Sequence, residues 1–117
     1  MEKTTVILNE GPDSMKTWNG LRIAAGLIGV DEKVEIFLLD DGVYAGKKGQ
    51  QPVEKLKELD SAAKLQELIH MGVKVSACRT CTEMKGLTNE ELVDNIEVTT
   101  LLDLAKLIKE SKHVLIF

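Results

Sequence analysis

Aromatic side chains are scarce in this 117-residue chain: Trp18, Phe37, Tyr44 and Phe117 are all it has. Few large anchors are therefore available for a tight hetero-interface, although a symmetric assembly built from aliphatic helix faces stays open. Basic residues are not in excess. With Lys and Arg at 15 against Asp and Glu at 19, the formal charge is -4, and no stripe exists that could neutralise a phosphate backbone. Nucleic acid is not an expected partner. No apolar run approaches the ~20 residues of a membrane span, and the opening MEKTTVILNEGP holds too short an apolar stretch for a secretory core. The chain reads as cytoplasmic, with no membrane partner. Proline and cysteine each occur twice, and histidine only as His70 and His113. In a reducing compartment two cysteines stay thiols, so reactive or metal-binding roles outweigh a structural disulfide.

What is present is a regular alternation. Thr4 to Leu8 (TTVIL) is a β-branched run broken by Asn9-Glu10-Gly11-Pro12-Asp13. Asp13 or Ser14 can cap a helix carrying Met15, Trp18, Leu21, Ala25 and Ile28 at helical spacing as far as Gly29. Lys33 to Leu39 is a second strand, followed by a Gly-rich, nearly structureless loop to about Gln51. Pro52 suits the first turn of a long helix with Leu56, Leu59, Ala63, Leu65, Leu68 and Ile69 on its apolar stripe, and Gly72 ends it. Val73 to Ala77 is the third strand, Thr88 to Glu91 has the form of a capping box, and Ile96 to Val98 is a fourth strand. Thr99 or Thr100 caps a helix with Leu101, Leu104, Ala105 and Ile108, and His113 to Phe117 closes the chain as a strand.

This alternation predicts one α/β domain over 1–117: a mostly parallel sheet of about five strands with helices on both faces. Strands two, three and five are nearly all apolar, which agrees with burial on both sides. In open sheets of this kind chemistry gathers beyond the carboxyl ends of the strands, near the reversal of strand order. One segment at that edge, VKVSACRTCTEMKGL (73–87), carries both thiols.

If the segment after Ala77 turns helical, its first free amides favour a thiolate at Cys78, and Arg79 and Lys85 add positive potential. Cys81, one helical turn on, could attack a persulfide or sulfenate formed on Cys78. Several other readings compete. Cysteine is often a small buried apolar group, so either thiol can be packing alone. C-x-x-C is half a zinc site, but the chain has no second pair and only two histidines. A thioredoxin-type pair would come early, at a helix start, with tryptophan before it and a proline loop opposite; here the pair follows the third strand, Trp18 is far away in sequence, and the prolines are Pro12 and Pro52. Asn9 to Ser14 could hold an anion at a helix start or be a plain turn and cap; Asp40-Asp41 could bind a cation, orient a substrate or be solvated turn residues. Beyond sulfur chemistry, the alternatives are a nucleotide- or anion-binding module at the carboxyl-edge cleft and an oligomeric regulatory subunit with no chemistry of its own.

The order and spacing of the apolar-Asp-Asp-Gly-Val-Tyr turn (Phe37 to Tyr44), the strand delivering Cys78, the finish Lys85-Gly86-Leu87 and the closing LLDLAKLIKESKHVLIF resemble the DsrE/DsrF-like family. These are small proteins of sulfur relay and sulfur oxidation. The resemblance implies a three-layer, flavodoxin-like α/β fold without flavin or other cofactor, assembled as a dimer, trimer or hexamer, and exchanging sulfur with donor and acceptor proteins. It implies a persulfide on Cys78, the cysteine that follows the third strand. The implied role reaches Cys78 alone; from the residues themselves, Cys81 is read as a second, resolving thiol, Arg79 as a support for the thiolate, and Asn9, Asp41 and residues 42–51 as the pocket wall.

Overall fold

The structure is a computed structural model that describes residues 2–52 and 59–117. Five strands, β1 (Lys3–Leu8), β2 (Lys33–Leu38), β3 (Lys74–Cys78), β4 (Glu97–Thr99) and β5 (Ser111–Ile116), form one sheet in the order β4-β3-β2-β1-β5. Every pairing is parallel. The helices are α1 (Met15–Gly29), α2 (Ser61–His70), the short α3 (Arg79–Met84) and α4 (Leu101–Glu110). The α/β class, the parallel sheet and the helices on both faces are as the alternation predicts. No helix among the described residues is long and apolar enough to cross a membrane.

Strand alternation sorts the core into two layers. Val6 and Leu8, Ile36 and Leu38, and Val75 and Ala77 point to one face, where Trp18, Leu21 and Ala24 of α1 and Leu65 and Leu68 of α2 cover them. Ile7, Phe37 and Cys78 point to the other and meet Leu104 and Leu107 of α4. Local chemistry sets the helix starts: Ser14 accepts the Lys16 N–H, Asp60 the Ala63 N–H and Thr100 the Asp103 N–H. The capping box at Thr88 is present, around a single 3-10 turn (Asn89–Glu91).

Three expectations need correction. First, the segment after β2 is not structureless: Asp40–Gly46 is a 3-10 helix with Val43 and Ala45 fully buried. It lies across the end of β1 because Gly42 has no side chain; a Cβ there would stand 1.9 Å from the Leu8 carbonyl oxygen. Second, α2 begins at Ser61, whose buried hydroxyl donates to the Ala45 carbonyl at 2.8 Å while Gln50 Oε1 accepts its amide at 3.1 Å. The helix turns expected from Pro52 through Leu56 lie in part at 53–58, outside the described residues. Third, β5 is not buried on both sides. It is a sheet edge, with Lys112, His113 and Ile116 exposed, because the chain crosses after β4 to the far side of β1 and, among the described residues, nothing pairs beyond it.

Candidate functional site

The thiols stand at the carboxyl end of β3, where the strand passes directly into α3. Cys78 is the last residue of the strand and the N-cap of the helix: its Sγ accepts the Cys81 N–H at 3.4 Å. The Sγ of Cys81 accepts a second backbone amide, that of Asp40, at 3.2 Å. Asp40 donates from a left-handed backbone, φ 54°. Such a φ is uncommon outside glycine, and Asp and Asn adopt it more readily than other residues. Lys85 ties the two segments from outside, with Nζ 2.6 Å from Asp41 Oδ1 and 3.6 Å from Asp40 Oδ1.

Burial separates the two sulfurs. Cys78 is 1% exposed and packs with Ile7, Phe37, Leu104 and Leu107. Cys81 is half-buried, touching both core layers from the rim. The open Cys78 expected from sequence is therefore corrected: odd-even alternation along β3 turns its side chain under α4, and α3 begins directly above it. Burial, and next the hydrogen-bonded sulfur of Cys78, push the Cys81 thiol above its ordinary value, with the Asp40 N–H pulling the other way. Its resting form at neutral pH is the thiol.

The remaining site candidates divide between these thiols and a neighbouring cleft. Arg79 is exposed, and no hydrogen bond or ion pair among the described residues brings its guanidinium to either sulfur. Lys85, read as a source of positive potential for the thiols, is engaged by Asp41, which pushes its ammonium above the ordinary range. Asn9 is spent on sheet closure: its backbone amide and its Nδ2 both donate to the Phe117 carbonyl, at 3.0 and 3.3 Å. That contact lies at the β1/β5 boundary, where strand order reverses, so the thiols sit two strands away from the reversal. Asp41 does face a cleft of about 370 Å³, whose other walls are Gly11, Pro12, Asp13, Tyr44 and residues 47–50. Neither Asn9 nor either cysteine lines it.

Two features of the site were missed in sequence. The Asp40 amide and the Lys85 clamp join positions 41 and 44 residues apart, and no local pattern announces such pairs. The one usable signal was Gly42, since a glycine directly after two acids at a strand end marks a close backbone approach.

Fold and site together define a small parallel α/β protein with a paired-thiol turn at the carboxyl edge of its sheet. The chain belongs to the DsrE/DsrF-like family, whose sequence model matches residues 2–117. Among similar proteins, MK0008 of Methanopyrus kandleri is 37% identical over 114 residues, covering 97% of this chain and 92% of that one. The protein YchN of Escherichia coli is 32% identical over 122 residues, all of both chains. The crystal structure of YchN superposes with a TM-score of 0.89 over the whole of each chain. The structure of MTH1491 from Methanobacterium thermoautotrophicum, at 13% identity, shares the fold with a TM-score of 0.72 over 97% of each chain.

Proposed function

We propose that this protein is a cytoplasmic sulfur carrier, or sulfurtransferase subunit, that accepts and passes on sulfane sulfur at the Cys78/Cys81 pair. The observation that carries the reading is the hydrogen-bonded sequence at the end of β3, in which one backbone amide serves each sulfur. Membership of the DsrE/DsrF-like family supports it. Transfer needs no cofactor. A protein thiolate attacks the outer sulfur of a donor persulfide R–S–SH, the donor's S–S bond breaks, and R–S⁻ leaves and takes up the proton the protein thiol gave up. The product is a protein persulfide, and the reverse attack by an acceptor thiolate delivers the sulfur. Donor and acceptor are proteins with exposed thiols, and the carrier works as a homo-oligomer.

Intact-mass spectrometry after incubation with glutathione persulfide tests the proposal. A gain of one sulfur atom in the parent, absent when both cysteines are replaced by serine, is the expected result; no gain in the parent refutes it. A second reading has an observation of its own: the cleft beside Asp41 presents Tyr44, Lys47 and Lys48, groups suited to a nucleotide or small anion. A thermal shift with a nucleotide panel that survives loss of both cysteines would favour that reading.

A further inference from the structure

We infer that Cys81, not Cys78, is the thiol through which sulfur enters and leaves, and that Cys78 is the shielded inner station. This inference rests on the sulfur-carrier reading of the same pair. Cys78 is 1% exposed and enclosed by Ile7, Phe37, Leu104 and Leu107. A donor persulfide carried by another protein has no route to that atom in the folded state. Cys81 lies one helical turn further along α3, at the rim, with its own amide on the Cys78 sulfur. The two sulfurs are thus ordered from outside to inside by the geometry of a single turn.

The Asp40 amide belongs to the same device. It reaches Cys81 from the 3-10 segment after β2, and the Lys85 contacts to Asp41 and Asp40 hold that segment against α3. Asp40 is a positioning residue acting through its backbone. Its N–H aims the outer sulfur and stabilises negative charge there when the thiol ionises or when it leaves as a thiolate.

The relay balances in two steps. The Cys81 thiolate attacks the outer sulfur of R–S–SH; a Cys81–sulfur bond forms, the donor's S–S bond breaks, and R–S⁻ departs with the proton released by Cys81. The Cys78 thiolate then attacks the outer sulfur of the Cys81 persulfide. The bond at Cys81 breaks, the sulfane sulfur moves to Cys78, and Cys81 recovers the proton that Cys78 lost. Nothing is oxidised or reduced overall. Export reverses the sequence, and between the two the persulfide rests beneath α4, away from solvent reductants.

The test compares Cys81→Ser, Cys78→Ser and Cys78→Ala with the parent, using limiting glutathione persulfide, rapid alkylation and peptide mapping. Serine keeps an acceptor for the Cys81 amide, and alanine keeps the apolar contacts beneath α4, so one of the two Cys78 variants retains the local fold. In the parent, sulfur maps first to Cys81 and later to Cys78. Cys81→Ser lowers the initial rate of uptake by at least about tenfold, because Cys78 can then react only after a local opening. The Cys78 variants still gain one sulfur, which maps to Cys81 at every time point and never moves on. Parental uptake in Cys81→Ser overturns the inference and leaves the carrier reading intact. No uptake by the parent overturns both.

Discussion

Gly42→Ala is the substitution that most directly probes how the site is assembled. A Cβ at this position would lie 1.9 Å from the Leu8 carbonyl oxygen, 2.7 Å from the Leu8 carbonyl carbon and 3.4 Å from the Asn9 nitrogen, all backbone atoms. An ordinary carbon–oxygen contact requires the two to separate by about 1.5 Å more. β1 cannot yield, since β2 and β5 hold it on both sides, so the 3-10 segment must lift. Lifting loosens Val43 and Ala45, both fully buried, and strains the Gly42 N–H bond to the Leu39 carbonyl at 2.8 Å. Overpacking costs about 1–3 kcal/mol and a weakened buried hydrogen bond about 1 kcal/mol, giving a destabilisation of roughly 3 kcal/mol. For a domain of this size that lowers Tm by on the order of 10 °C. Urea unfolding followed by circular dichroism measures it. A variant within about 0.5 kcal/mol of the parent would refute the claim that the missing side chain at Gly42 is what lets the segment cross β1.

Gly26→Ala is the opposite case: nothing lies within 4 Å of the added Cβ, on an exposed position inside α1, so stability should rise by about 0.5–1 kcal/mol in the same assay. Lys3 lies 2.6 Å from Glu35, and that hydrogen-bonded carboxylate raises its pKa above the ordinary 10.5, with burial opposing. Because the folded value is the higher, the pair's contribution is fully present below pH 10.5 and lost as pH rises through the raised value. Urea midpoints should therefore fall on that alkaline limb, and Glu35→Gln should flatten it. Iodoacetamide labelling of Cys81, followed by peptide mapping, should accelerate with pH to a midpoint above 9.0, since burial and then Cys78 hold its proton while the amide of Asp40 opposes them and Lys85 is turned to Asp41. A midpoint below 9.0 would contradict the environment described for this sulfur.

What the residues determined unaided is the local half of the molecule. Strand runs, the Ser14 and Thr100 caps and the Thr88 box depend on neighbours a few positions apart, and each element formed within about two residues of its expected bounds, α2 excepted. The turn that places Cys81 one helical step from Cys78 is equally local, so the candidate thiol pair was legible from its spacing. The tertiary structure decided the rest. Which side of the sheet Cys78 faces follows from the phase of β3 relative to α4, and the reversal that leaves β5 at an edge follows from where the last crossover returns. Whether a glycine-containing loop is slack or packed depends on a backbone carbonyl more than thirty residues away. Contacts such as Asp40 with Cys81, or Lys85 with Asp41, arise only once separate strands deliver both partners to one rim, because hydrogen bonds and ion pairs act over a few ångströms of space and take no account of distance along the chain.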